Sequence, residues 1–403
     1  MFKENRPTNE AESDVFGKVS RTDMLAPWTY RSEELTALEL EALFLSDWLL
    51  AGHASEIPNS GDYTTFNIGG ERAVLIRDEE GRIGAFHNVC RHRGSRVVGA
   101  NRGHCRRTMV CPFHGWTYHL DGRLKQIPSA GTFDQLEIAS NGLIPVELEM
   151  WHGFLFIRFR SGGQSLAARL AAVEEKVAHY RLSELLPLGS RRVVELPYNW
   201  KLIHDVDNEG YHVPSAHPSL HSLYGKDYRD SLMGDVPIST ARVDEDVSSF
   251  WSVDHYKKLL PSFDHLPQSE QRVWFYFAVF PNLVFVLYPE MVEFYMTVPV
   301  SAGKSLMIGQ CFGLQDDRRE TRAARYLNQR INEQTVREDE NLVLWLQESF
   351  ATSVYPRDNL STLEFGVAYF HRQLKVKLPV LGLEMTPQTD HLAVLNQKML
   401  NGA

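Results

Sequence analysis

Two stretches of this sequence crowd together side chains that can hold metal ions. The first, "CRHRGSRVVGANRGHCRRTMVCPFHGW" (residues 90–116), contains Cys90, His92, His104, Cys105, Cys111 and His114 among many arginines. Cys90 and His92 form Cys-X-His, Cys111 and His114 form Cys-X2-His, and 18 residues separate the two pairs. Two facing β-turn knuckles of this kind would offer two thiolates and two imidazoles. Zinc accepts that set in tetrahedral geometry as a structural brace. A two-iron cluster also accepts it, with both thiolates on one iron and both imidazoles on the other. Zinc fingers draw two neighbouring histidines from one helix, whereas here each cysteine has its own histidine in a β context. That favours the iron–sulfur arrangement and leaves His104 and Cys105 as loop residues.

The second stretch, "NWKLIHDVDNEGYHVPSAHPSL" (residues 199–220), holds Glu209, His212 and His217. Its pattern predicts a helix running to Pro214, on which Glu209 and His212 share a face. An ideal helix separates His212 from His217 in angle, so they converge only if the helix is disturbed, and Pro214 is the expected disturbance. Two imidazoles and a carboxylate on one face of an Fe(II) ion leave positions open for dioxygen and a substrate. The plain alternative is two partly exposed histidines at a helix end.

The elements that must position these residues fall into three parts. Residues 30–50 begin with a Ser-X-Glu-Glu cap signal and keep helical spacing, so they predict an amphipathic helix in an N-terminal arm, residues 1–50. Residues 51–160 alternate in short segments such as "DYTTFNI", "RAVLIRD" and "GFLFIRF" between turns such as "DEEGR" and "LDGR", which predicts a small β domain. Residues 161–403 mix helix (166–186 and the charged run 318–350) with strands "VWFYFAVF", "LVFVLYP" and "VEFYMTVPV". The fold class expected is α+β.

Composition narrows the function. A chain of 403 residues that is 43% hydrophobic can bury a large core, and four cysteines are too few for a disulfide scaffold. A formal charge of −9 argues against nucleic acid as a main partner. The start "MFKENRPTNEAESD" shows no apolar leader and no run approaches a membrane span, so the expected location is the cytoplasm. Neither a G-X-G-X-X-G turn nor a phosphate loop is present, so nicotinamide and flavin are expected on a separate protein.

"CRHRG" followed by "CPFHGWTYHLDG" resembles the Rieske signature of the ring-hydroxylating oxygenase family, with Gly94, Gly115 and Trp116 at matching positions and a slightly longer spacer. "NWK…EGYHVPxxH" looks like that family's iron-binding helix, "TVREDENLVLWLQES" resembles its distal helix, and "FHRQL" its closing segment. The resemblance spans residues 28 to 375. It implies a β-rich Rieske [2Fe-2S] domain, ligated by Cys90, His92, Cys111 and His114, and a helix-grip-like catalytic domain in which antiparallel sheet and helices hold a mononuclear Fe(II). The iron ligands it implies are His212, His217 and Asp339, whose neighbours Glu338 and Glu340 compete for the role. Helical phase places Asp339 with Leu342, Val343 and Leu346 on an apolar face.

The resemblance further implies a homotrimer in which one subunit's cluster lies beside its neighbour's iron, with Glu209 as the electron bridge between cluster and iron ligands. His204-Asp205 replaces the family's usual Glu-Asn, and Asp205, seven residues before His212, is expected as a second carboxylate near the iron. Electrons would come from NAD(P)H through a separate flavin/iron–sulfur reductase, and O2 would be inserted into a small substrate. A glutamate at the bridging position is similar to family members that oxidise quaternary ammonium compounds, so oxidative N-demethylation or C–N cleavage of a betaine-like compound is expected. Phe250, Trp251, Tyr256, Tyr288, Phe294 and Tyr295 are the candidate aromatic faces for such a cation. Hydroxylation of an aromatic ring or aromatic acid is the alternative. From other classes, an electron carrier without oxygenase activity and a zinc-braced binding protein stand beside it.

Overall fold

The computed structural model describes residues 19–20, 23–355, 359–388 and 391–402. Most of the arm's first twenty residues, which carry the leader question, lie outside the described residues. The chain divides into two compact units, one formed by Leu43–Arg169 with Arg181–Pro187, the other by the remainder. Residues 43–50 and 161–169 thus group with the β-rich unit rather than with the flanking segments.

The β-rich unit contains three small antiparallel sheets. One pairs Asp62–Ile68 with Glu71–Arg77 and Arg102–His104, Glu71–Arg77 continuing to Ile83–His87. Another joins Thr108–Val110, Thr117–His119 and Leu124–Gln126. The third joins Leu49–His53, Phe154–Arg158 and Glu147–Trp151. The turns read from sequence form where expected, with Gly81 and Gly122 at φ +81° and +83°, a conformation that costs glycine little. Val74, Ile76, Phe86, Met109, Trp116, Tyr118 and Leu124 pack into one core that also includes Cys90 and Cys111.

The larger unit is built on one antiparallel sheet. Within this unit its strands run in the order Arg192–Leu196, Lys304–Gly313, Val292–Ser301, Leu283–Leu287, Val273–Val279, Val236–Arg242 and Tyr228–Met233. Period-two alternation sorts its faces. Tyr276, Ala278, Val284, Val286, Glu293, Tyr295, Gly309 and Cys311 are cross-strand neighbours on one face. On the other, Phe277 stacks on Phe285 and Phe294 on Phe312, with Phe285 edge-on to Phe294.

Helix α1 (Trp200–Asp207) begins at Asn199, whose side chain accepts from Lys201 N. It is fixed there by a buried pair: Lys201 Nζ lies 2.6 Å from Glu39 Oε1, and Trp200 Nε1 donates to Glu39 Oε2 at 2.8 Å. Helices α2 (Val213–Ala216) and α3 (Pro218–Tyr224) follow, and α4 (Arg319–Ser349) is the long charged helix expected.

Three helix expectations change. The 30–50 helix is shorter: Glu33–Glu39, capped by Ser32, passes into a π turn at Leu40–Phe44, and a strand starts at Leu49. The 166–186 helix is two short pieces, Leu166–Leu170 and Glu174–Ala178, ended before Arg181, which adopts φ +50°. The helix through Glu209 ends at Asp207, and the break lies upstream of Pro214, which sits in the first turn of α2, where a missing N–H costs nothing.

Candidate metal centres

The two knuckles of the β-rich unit are the same turn built twice. Gly94 N donates to Cys90 O and Gly115 N to Cys111 O, both at 3.0 Å. Cys90 N donates to Ser95 O at 2.7 Å and Cys111 N to Trp116 O at 2.8 Å. Gly94 and Gly115 take φ +76° and +75°, so a side chain at either would strain the turn. Both thiols are buried in the core and hydrogen-bonded to each other, and Tyr118 Oη lies 3.3 Å from Cys90 Sγ and accepts from Arg91 N at 3.0 Å. Burial raises the Cys90 thiol above its ordinary value.

The imidazoles lie towards the surface, with the His92 and His114 ring centroids 4.5 Å apart and His92 stacked on Trp116. His92 Nδ1 is buried without a hydrogen-bond partner. Two core thiols, two adjacent imidazoles and an orphaned ring nitrogen fit a [2Fe-2S] cluster held by thiolates on its inner iron and imidazoles on its outer one. Cys105 stands apart in the loop, as expected, with its thiol raised by burial.

In the larger unit, the segment between α1 and α2 brings the second set together. Asn208 N donates to His204 O at 3.0 Å to end α1, and Gly210 N donates to Asp230 Oδ2 at 3.1 Å. A Cβ on Gly210 would meet the Tyr228 ring at 2.2 Å, so this turn requires glycine. Glu209 then folds back on His212, accepting from its backbone N at 3.0 Å and meeting its Nδ1 at 2.5 Å. His212 Nε2 and His217 Nε2 lie 3.2 Å apart, and Asp339 Oδ1 lies 3.1 Å from His217 Nε2.

Ligand atoms of His212, His217 and Asp339 all fall within 4.8 Å of one another. Two nitrogens bound to one metal at right angles sit about 3 Å apart for bonds near 2.1 Å. Each imidazole keeps Nε2 for that point because a carboxylate takes its Nδ1: Glu209 for His212, and Glu338 for His217 at 2.9 Å. The donors present therefore suit a two-His-one-carboxylate iron site. Burial lowers the His217 pKa, but the Asp339 and Glu338 carboxylates outweigh it and hold it above the ordinary value.

The three groups open onto a cavity of about 520 Å³ lined by Tyr198, Tyr224, Tyr228, Tyr276, Tyr288 and Tyr295. Of the aromatic candidates, Tyr288 and Tyr295 line it; Phe294 points to the other sheet face, Trp251 is exposed, and Tyr256 is buried against Glu290. Asp205 is turned elsewhere, bound by Tyr30 Oη at 2.6 Å and His371 Nε2 at 2.8 Å. Its expected helical phase fails because α1 ends before Glu209. The acidic residue that α1 sends into the cavity, beside Ile203 and Val206, is Asp207, whose carboxyl is pushed up to about 7 by burial and then by the Asp339 charge. On α4, Val343 is buried, while Leu342 and Leu346 are exposed, so the apolar face of Asp339 is only partly turned to the core.

The family profile described as "Ring hydroxylating alpha subunit (catalytic domain)" matches residues 173–379, and that of the "Rieske [2Fe-2S] domain" matches residues 47–140. The chain belongs to the ring-hydroxylating alpha-subunit family, and this pair of domains implies a Rieske cluster and a mononuclear iron. It is 36% identical over 211 residues to the glycine betaine monooxygenase oxygenase subunit of Chromohalobacter salexigens, a match covering 52% of this chain and 47% of that protein. It is 33% identical over 192 residues to the carnitine monooxygenase oxygenase subunit of Acinetobacter baumannii, covering 47% and 52%. The matches thus span about half the length of these curated relatives. A solved quaternary ammonium Rieske monooxygenase shares the fold with a TM-score of 0.74 at 24% identity, covering 88% of this chain and 94% of that one. Among the described residues no helix is long and apolar enough to cross a membrane.

Two acids escape the sequence reading, one behind an iron ligand and one in the cavity wall. In the sequence Glu338 is only a rival ligand to Asp339, and nothing in helical phase shows that it turns to His217 Nδ1. Asp207 lies five residues before His212, a spacing with no meaning until the break in α1 is known.

Proposed function

We propose that this chain is the terminal oxygenase component of a multicomponent Rieske system that oxidises a small quaternary ammonium compound. The observation that carries this reading is the convergence of His212, His217 and Asp339 on a tyrosine-walled cavity. When bound, the [2Fe-2S] cluster supplies single electrons and the mononuclear iron supplies dioxygen activation. The protein's own part is orientation. Glu209 and Glu338 fix the two imidazoles, the sheet face and α4 shape the cavity, and tyrosine faces favour a cation.

We assign Cys90, His92, Cys111 and His114 to the cluster, within a Rieske domain centred on residues 51–160, and His212, His217 and Asp339 to the iron, within 161–403. Glu209 is the proposed bridge between subunits of a homotrimer, since its carboxylate already holds the iron-side imidazole and stays partly open to solvent. Asp205 supports the helix from behind rather than the iron. A separate NAD(P)H reductase supplies electrons, and reduced, unpaired cysteines suit a cytoplasmic setting. Glutamine at 209 should leave three irons per chain and the Rieske spectrum intact while abolishing oxygenation. Normal turnover by Glu209→Gln would remove the bridge, and a colourless zinc-containing protein would remove the whole reading.

A further inference from the structure

One cavity carboxylate has no part in the metal arrangement. Asp207 ends α1, faces the cavity and takes a hydrogen bond from the Tyr295 phenol, yet its Oδ2 is shielded and has no hydrogen-bond partner. The other inward acids have roles: Glu209 holds His212, Asp339 stands 3.1 Å from His217 as the proposed third iron ligand, and Glu293 meets Arg192 at 3.0 Å and the Tyr288 hydroxyl at 3.3 Å. Arg192, Glu333, Arg337 and Glu340 are the exposed charges among the lining residues. Among the described residues no lysine or arginine forms an ion pair with Asp207, and Arg192, which lines the cavity from its solvent-exposed rim, is already paired with Glu293.

A buried carboxylate oxygen without a donor is costly, and the cost is relieved either by a proton or by a cation brought to it. A quaternary ammonium fits that need well, because it has no hydrogen to donate and interacts through charge and through tyrosine ring faces. Tyr276 and Tyr295 stand near enough to Asp207 for its charge to act on both phenols. We propose that Asp207 is the counter-charge that seats the substrate's ammonium group beside the iron site, with Tyr295 positioning its carboxylate. The inference rests on the ammonium-oxidising reading above and adds the residue that makes the selection. It also sets a preference. With a carboxyl inside that a bound cation would hold ionised, and no unpaired inner cation among the described residues, the cavity selects ammonium compounds over anionic aromatic acids.

The test is calorimetric binding to the metal-loaded, full-length protein. The probes are choline and its uncharged isostere 3,3-dimethylbutan-1-ol, each measured on the wild type, Asp207→Asn and Tyr295→Phe. Asp207→Asn should lower choline affinity roughly 10- to 100-fold, the scale of a lost buried charge contact, while isostere affinity and iron content stay unchanged. Tyr295→Phe, which keeps the charge and loses the positioning, should fall between. Equal losses for both probes, or choline affinity kept within about two-fold in Asp207→Asn, overturns the assignment. If the wild type oxidises choline or a betaine while Asp207→Asn binds normally, only this inference falls. If the wild type takes benzoate and no ammonium compound, the parent reading falls with it.

Discussion

Replacing Glu338 tests the iron site through a residue that touches no metal. Its Oε2 lies 2.9 Å from Nδ1 of His217, an imidazole only 1% exposed, and Gln334 Nε2 braces its other oxygen at 2.9 Å. Glu338→Ala leaves a buried ring N–H without an acceptor, a loss of about 1–3 kcal/mol. Removing a carboxylate behind a metal-bound histidine typically costs about 10- to 100-fold in metal affinity, or about 1.4–2.7 kcal/mol. The two estimates agree, so Fe(II) affinity should fall by one to two orders of magnitude. Glu338→Gln keeps an acceptor oxygen and should lose less. The assay is Fe(II) titration of protein depleted of its mononuclear iron with the cluster intact, followed by the iron count after dialysis against a weak chelator. The [2Fe-2S] absorbance should not change, because the cysteines and their knuckles belong to the other compact unit. Wild-type Fe(II) affinity in Glu338→Ala would refute the assigned role. Iron loss in Glu338→Ala with retention in Asp339→Ala would show that the two acids have exchanged places.

Three further outcomes follow from single contacts. Tyr118→Phe removes a hydroxyl 3.3 Å from Cys90 Sγ, and a hydrogen bond of about 1 kcal/mol corresponds to about 40 mV for one electron, so the cluster potential measured by redox titration should drop by that order. Gly210→Ala forces a methyl group into the Tyr228 ring, which should cost about 1–3 kcal/mol in denaturant unfolding and lower iron occupancy. His204 is buried, bonded to Thr297 at 2.8 Å, and its pKa is lowered to about 4 by burial. An unfolded-state value near 6.5 means the unfolded chain binds the proton first, so this contribution is complete above pH 6.5 and is lost as pH falls towards 4. It amounts to up to about 3 kcal/mol, and His204→Gln should flatten the stability curve across that window.

The β domain was legible because its strands alternate and its turns carry glycine, so "DYTTFNI" coincides with Asp62–Ile68. The knuckles were legible because ligand type and spacing are themselves the signal. Helix ends were less so. Nothing local marks the stop at Asp207, which follows from the Asn208 cap onto His204 and the Gly210 turn held by Asp230. That missed break misplaced Asp205, hid Asp207 and credited Pro214 with a disturbance made upstream. The strands Arg192–Leu196, Tyr228–Met233, Val236–Arg242 and Lys304–Gly313 also went unread, although they complete the sheet under the cavity. Their polar and small residues, such as Ser239 and Gly309, line a cavity rather than a core and so lack the alternation that marks the others.

The most direct test of the central claim is turnover by the purified chain with a surrogate Rieske reductase and NADH. O2 uptake and product would be followed on glycine betaine, carnitine and choline against benzoate and naphthalene. The account predicts O2 uptake coupled to a demethylated or C–N-cleaved product from an ammonium compound, with about three irons per chain. Coupled hydroxylation of the aromatic compounds alone, or reduction of the cluster with no oxygenated product from any substrate, would contradict it.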